Sequence, residues 1–198
     1  MKTLFLVRHA AYPRLGEFLA GRTDQVILSA EGRDQCAGLA RRLSTEQVVC
    51  IQSSPRARAL QTAEPIARSA GLPIEPVADI DEIDAGEWTG RDFDELEHDS
   101  RWQAWNSERA TSRIPGGESM MEVQQRVLRC IERARRTGAR GAHVMVTHAE
   151  VIRAAMLHFL GLPLRAYSQI EIGPASVSAV LLGDCGIEVL CLNEMAGG

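Results

Sequence analysis

Lysine is almost missing from this chain: Lys2 stands alone among 22 basic residues, the rest being arginine. A guanidinium pairs bidentately with phosphate, which an ammonium cannot do. An arginine excess is also a common compositional habit, so it bears on function only where single arginines sit in motifs. Paired cysteines are missing too. Cys36, Cys50, Cys130, Cys185 and Cys191 are odd in number and scattered, with no C-x-x-C. That spacing is wrong for a zinc site and unlike a disulfide framework. They are expected to be small buried apolar residues in a reducing compartment. No apolar run approaches the ~20 residues of a membrane-spanning helix. The opening MKTLFLVRHA passes from one lysine into a strand-like segment without a small-residue cleavage site. No signal peptide, no membrane contact and a cytoplasmic location are therefore expected. With a net charge of −4, a basic surplus is lacking, which excludes the overall footprint of a nucleic-acid binder. What is present is ordinary: 198 residues, 45 % hydrophobic and 24 % charged, predict one globular domain over 1–198 with a core of its own.

Short β-forming runs at 3–7, 48–51, 143–147, 177–182 and 187–192 alternate with helical patterns. Ser29 is a good N-cap for a helix whose face carries Cys36, Leu39, Ala40 and Leu43. Met120, Val123, Val127, Cys130, Ile131 and Ala134 form a second stripe. Val151, Ile152, Ala155, Met156 and Phe159 form a third, which Gly161 ends. Residues 56–69 also read as helix, with Pro65 expected to kink or break it. The alternation predicts an α/β layered fold with a mostly parallel sheet, and the last two runs an antiparallel hairpin around 183–186. Residues 79–117 differ: acidic at first, then aromatic (Trp88, Phe93, Trp102, Trp105), ending in Pro115-Gly116-Gly117. They are expected to be an inserted cap segment over the end of the sheet, with the tryptophans packing rather than forming a substrate platform.

Four features carry chemistry. Arg8-His9 ends the first strand. Ser53-Ser54-Pro55-Arg56-Ala57-Arg58 leaves another strand and opens a helix. Thr147-His148-Ala149 does the same. Glu82 precedes Gly86-Glu87-Trp88. Ligands of open α/β sheets bind beyond the carboxyl ends of the strands, where helix N-termini favour anions. Arg8, His9, Arg58 and His148 could therefore converge on one cleft. Two arginines and two histidines suit phosphate better than zinc: the arginines hold non-bridging oxygens, and nearby guanidinium groups keep an imidazole neutral and nucleophilic. The second histidine can donate a hydrogen bond to the phosphoryl group, and a carboxylic acid can protonate the leaving alkoxide. Asp79, Asp81 and Asp84 compete with Glu82 for that role; spacing to Gly86 and Trp88 favours Glu82.

Leu-Val-Arg-His-Ala (6–10), Ser-Ser-Pro-x-x-Arg-Ala (53–59), Glu-Ile-Asp-x-Gly-Glu-Trp (82–88), Pro-Gly-Gly-Glu-Ser (115–119) and Thr-His-x-x-Val-Ile-Arg (147–153) together resemble the histidine phosphatase superfamily, its phosphoglycerate-mutase-like branch. The resemblance spans nearly the whole chain. It implies a three-layer α/β/α sandwich, a phosphohistidine at His9, a phosphate pocket of Arg8, Arg58 and His148, Glu82 as proton donor, and no metal or other cofactor. The chain departs from the pattern in three places. Ala10 replaces a glycine. Ala11-Tyr12-Pro13-Arg14 replaces a Thr/Asn-containing stretch. His148-Ala149-Glu150 replaces His-Gly-Gly or His-Gly-Asp, so the Ala149 methyl is expected to crowd backbone that approaches the substrate. Arg22 is a candidate substrate contact and equally a loop arginine; Glu118 and Ser119 either line the cleft or start a helix.

The leading expectation is a metal-independent phosphomonoesterase of the histidine acid type, acting on a small phosphorylated metabolite. A phosphoglycerate mutase uses the same intermediate but needs a closed, cation-rich pocket. The stretch between Glu82 and Pro115 is short for a mutase, and its acidic excess over Arg91, Arg101, Arg109 and Arg113 is expected to disfavour a bisphosphate. A non-catalytic phospho-ligand binder needs neither nucleophile nor acid. Oligomeric state is open; an edge strand would offer a homodimer a pairing surface.

Overall fold

The computed structural model describes residues 2–138, 140–183 and 186–195. In chain order the elements are β1 (Lys2–Arg8), α1 (Ala30–Leu43), β2 (Val48–Ser53), α2 (Ala57–Ala70), β3 (Glu75–Pro76), α3 (Phe93–Leu96), α4 (Ser100–Ser107), α5 (Met120–Arg136), β4 (Gly141–Thr147), α6 (Ala149–Phe159), β5 (Ser176–Gly183) and β6 (Gly186–Met195). The six strands form one sheet in the order β3-β2-β4-β1-β5-β6. Pairings β3/β2, β2/β4 and β4/β1 are parallel; β1/β5 and β5/β6 are antiparallel.

Alternate side chains of each strand feed opposite faces. Leu4 and Leu6 of β1 and Met145 of β4 pack with α5, α6 and the tryptophan group. Phe5 and Val7, with Val144 and Val146, pack with α1 and α2. Both faces of the sheet are therefore covered by helices, giving the three-layer α/β/α sandwich. Ser29 caps α1, its hydroxyl accepting from Gly32 N–H, and Ser119 with Glu122 forms a capping box at α5. Lys2 is buried and donates to the Ala134 and Arg135 carbonyls at 2.9 and 2.8 Å, closing the C-terminal end of α5.

Several details differ from the sequence reading. Pro65 does not break α2, which runs uninterrupted while Ala59, Ala63, Ile66 and Ala67 are buried along one face; tertiary burial outweighs one lost backbone bond. β3 is only two residues long, below what periodicity can show. Cys36 and Cys130 are buried, but Cys50 and Cys191 are only half-buried. Cys185, and the centre of the hairpin turn at 184–185, lie outside the described residues. Trp88, Trp102 and Trp105 are buried against one another, as packing residues, with ring centroids 5.2–5.8 Å apart. No helix among the described residues is long and apolar enough to cross a membrane.

Leu6 lies at the centre of the sheet and is fully buried. Leu6→Ala is expected to cost about 2–5 kcal/mol, read as a lower urea midpoint with an unchanged m-value.

Candidate active site

Strand register builds the site. Arg8 pairs with Thr147, and the ladder continues one step further as His9 N–H donates to the Thr147 carbonyl at 2.9 Å. Ser54 N–H likewise donates to the Val146 carbonyl at 2.9 Å. The carboxyl ends of β2, β4 and β1, adjacent in the sheet, thus set Ser54, His148 and His9 side by side. Arg58 enters from the first turn of α2, and His148 is the N-cap of α6. Neither helix start is capped by a side chain, so their N–H groups add to a field that favours an anion.

The structure brings together the five residues singled out as catalytic. The His9 and His148 rings are 5.1 Å apart. His9 Nδ1 lies 2.9 Å from the Ala10 carbonyl. A carbonyl can only accept, so Nδ1 carries the proton and Nε2 keeps the lone pair. Arg58 is 1 % exposed. Its Nη2 donates to the Gly21 carbonyl at 2.7 Å and faces His148 Nδ1 at 3.3 Å and Glu82 Oε2 at 3.9 Å. Arg8 Nη1 donates to the Ile172 carbonyl at 2.6 Å. The Nε atoms of both arginines are buried without a protein partner, a costly arrangement for cations unless an anion completes it.

Burial, then the neighbouring Arg58 and Arg8, holds His9 well below the usual imidazole range. Burial, then Arg58, does the same to His148. Burial pushes Glu82 up to about 7 against the opposing pull of Arg58. Near neutral pH the site therefore offers two neutral imidazoles, two guanidinium groups and a carboxyl able to hold a proton. Facing it is a cavity of about 190 Å³, lined by Arg8, His9 and Glu82 together with Tyr12, Ala149, Glu150 and Arg153 and by apolar walls that include Leu15, Phe18, Ile83 and Phe93.

His9, Glu82 and His148 also present ligand atoms within 4.8 Å of one another, a span a metal could bridge. Arg58 Nη2 stands beside two of those three atoms. A divalent cation there would meet a guanidinium at close range, whereas an anion would be attracted.

Arg22 is drawn away from the cavity: it donates to the Glu82 carbonyl at 2.8 Å and to Glu118 at 2.8 Å. Arg126 donates to that same carbonyl at 3.1 Å and to both oxygens of Glu118 at 3.0 Å. Glu118 neither lines the cleft nor starts the helix. It gathers Arg22, Arg126 and the Asp84 N–H, and so holds the Glu82 loop. Ala149 does line the cavity. Sequence reasoning gave no role to Tyr12, noted only within a departure from the family pattern, whose ring lies 5.5 Å from His9, nor to Arg153, noted only within a motif. Glu150 was noted only as a departure; it accepts from Arg109 and Arg153 at 3.0 and 3.1 Å.

With this geometry in place, comparison with known proteins is direct. The model of the histidine phosphatase superfamily (branch 1) matches residues 4–195. Phosphoserine phosphatase 1 of Hydrogenobacter thermophilus is 32 % identical over 98 % of this chain and 92 % of its own length. A probable phosphoglycerate mutase of Escherichia coli is 30 % identical over 91 % and 85 %. The structure of mycobacterial glucosyl-3-phosphoglycerate phosphatase with inorganic phosphate superposes with a TM-score of 0.86 at 26 % identity, covering 99 % of both chains. The chain belongs to the histidine phosphatase superfamily, branch 1.

The Pro-Gly-Gly segment supports the Glu82 loop by close backbone packing. Gly86 has φ +47°, and a Cβ there would meet the Pro115 carbonyl oxygen at 2.2 Å. Gly71 has φ +66° but open space around it. Gly86→Ala should destabilise by at least about 2 kcal/mol more than Gly71→Ala, which carries only the ~1 kcal/mol backbone strain. Chemical unfolding of the two variants side by side is the measurement.

Proposed function

We propose that the protein is a metal-independent phosphomonoesterase that hydrolyses a small phosphorylated metabolite through a phosphohistidine at His9. The observation that carries this reading is a buried, neutral His9 with its Nε2 lone pair free, set between two guanidinium groups that lack full partners. Arg8 and Arg58 hold the non-bridging oxygens and offset charge as the phosphoryl group transfers. His9 Nε2 attacks phosphorus, the ester P–O bond breaks, and its electron pair leaves with the alkoxide, to which Glu82 gives its proton. Water then attacks phospho-His9, Glu82 takes the water's proton, and inorganic phosphate departs with His9 restored.

On this reading the chain is one domain, and residues 79–117 form a cap segment that contributes Ile83 and Phe93 to the cavity wall. The cavity admits a small leaving group with an apolar stem. The names of the relatives, phosphoserine and glucosyl-3-phosphoglycerate phosphatases, are consistent with substrates of that class.

The test is to trap the enzyme during turnover in excess chelator. Wild type should give an acid-labile, alkali-stable phosphoenzyme and release phosphate at an unchanged rate, and His9→Ala should give neither. Turnover by His9→Ala near the wild-type rate, or a rate that collapses on chelation and returns with magnesium or zinc, overturns the proposal.

The pH dependence follows from Glu82. Its proton is needed, and its pKa is raised from 4.5 to about 7. The donor form is therefore present below that value and lost above it. The kcat/KM for alkyl phosphates should fall about tenfold per pH unit above an alkaline limb near 7. Glu82→Gln should remove the limb and slow alkyl esters by ~10²–10⁴-fold, leaving aryl phosphates far less affected.

A further inference from the structure

We propose that Asp81, acting through the Ser54 hydroxyl, is a positioning residue that fixes the tautomer of His148 and thereby decides which ring nitrogen faces the reacting groups. Asp81 was a rival for the role of proton donor. The structure instead buries it and turns it away from the cavity, toward Ser54. Its Oδ1 accepts from Ser54 Oγ at 2.9 Å, Arg56 Nε at 3.1 Å and the Glu82 N–H at 2.8 Å. Its Oδ2 lies 3.7 Å from Arg22 Nε. Two guanidinium groups against one carboxylate leave it an acceptor only.

The remaining assignments follow by counting protons. Ser54 has one hydroxyl proton and gives it to Asp81. Its oxygen accepts from Arg56 N–H at 3.3 Å, leaving its other lone pair for His148 Nε2, 2.8 Å away. Nε2 must therefore carry the hydrogen, and Nδ1 must carry the lone pair. Nδ1 is the nitrogen that meets Arg58 Nη2 at 3.3 Å and Glu82 Oε2 at 3.4 Å. The sequence suggested that the second histidine donates to the phosphoryl group. In the neutral ring, the site-facing atom instead accepts, from Arg58 Nη2, with Glu82 Oε2 beside it at 3.4 Å. A lone pair beside that carboxyl disfavours its ionised form, so the relay Asp81–Ser54–His148 holds the acid form of Glu82 ready. The opposite tautomer would present Nδ1–H to Glu82 and favour its ionised form.

The other groups around this pair do not change that sign when Asp81 is altered. Glu82 is faced by Arg58 from α2, Arg8 from β1 and Glu150 from α6. His148 is faced by Arg58, His9, Arg126 and Arg8.

The catalytic consequence rests on the phosphatase reading above; the tautomer itself does not, so the two can fail separately. The experiment is long-range ¹H–¹⁵N correlation on histidine-labelled protein, run with kinetics on an alkyl phosphate. Wild type should show His148 protonated at Nε2. In Asp81→Ala the Ser54 hydroxyl loses its acceptor and can turn its proton toward His148 Nε2. The ring should then be protonated at Nδ1, the alkaline limb should move to lower pH by about one unit, and kcat should fall about 10²-fold with KM changed far less. Ser54→Ala should leave His148 with mixed tautomers, and Ser54→Thr should restore Nε2–H; these variants carry the test if Asp81→Ala does not fold. A wild-type ring protonated at Nδ1, or an Asp81→Ala or Ser54→Ala protein with unchanged tautomer and pH profile, overturns the proposal.

Discussion

Two guanidinium groups buried beside two imidazoles form the constraint from which the rest of this site follows. Arg58 is almost entirely covered, and Arg8 is half-buried with its Nε enclosed. Removing a cation from water costs several kcal/mol unless hydrogen bonds and opposite charge offset it. Here the offset comes mostly from backbone carbonyls, Gly21 for Arg58 and Ile172 for Arg8, with Glu82 as the nearby carboxylate. That incomplete compensation has chemical results. It adds to burial in keeping both imidazoles neutral, and it opposes the effect of burial on Glu82, whose carboxyl is pushed up to about 7. It also sets a guanidinium beside two of the three potential metal-ligand atoms, a charge that attracts an anion and opposes a divalent cation.

The fold meets this constraint through strand register. Three parallel strands ending at one level place Ser54, His148 and His9 in a row, and each backbone is fixed by a ladder bond to its neighbour. Side chains placed by a sheet need no further ordering at the moment of reaction. Glu82 is the exception, since it sits on a loop. The structure compensates with two arginines on its carbonyl, Glu118 behind both, and glycines that let the Pro115 segment pack against the turn. Precision at the Glu82 carboxyl is thus obtained from polar contacts and close backbone packing.

These two modes of support explain what was legible in the sequence. The α/β layering, the hairpin and the α1 boundaries could be read because periodicity and caps are local. His9, Arg58 and His148 could be placed together because each follows a strand. The parts that could not be read are long-range. Nothing near Glu118 announces that it holds Arg22 and Arg126, and nothing near Asp81 announces that it reaches Ser54 across the sheet edge. Pro65 misled because a local rule met a buried helix face. Arg22 could not be separated from an ordinary loop arginine until its partners on the Glu82 loop were visible.

The choice between water and a second alcohol as phosphoryl acceptor turns on where the cations go. The sequence suggested that the acidic excess of 79–117 would repel a bisphosphate. The structure weakens that argument, because several of those carboxylates are answered locally: Asp92 by Arg14, Asp99 by Arg91 and Arg101, Glu87 by Arg101, Asp79 by Arg133. Paired charges near the surface project little field beyond a few ångströms. A better argument lies at the cavity itself. A mutase must bind a second anionic group firmly enough to retain the intermediate. Beyond Arg8, the guanidinium group that lines the cavity is that of Arg153, and it shares Glu150 with Arg109. Arg109 is also stacked between Trp105 and Tyr167 at 4.0 and 4.1 Å. A second anion would have to displace a partly buried carboxylate that already holds both. One phosphoryl group is provided for and a second is not, which favours hydrolysis over transfer to a second alcohol.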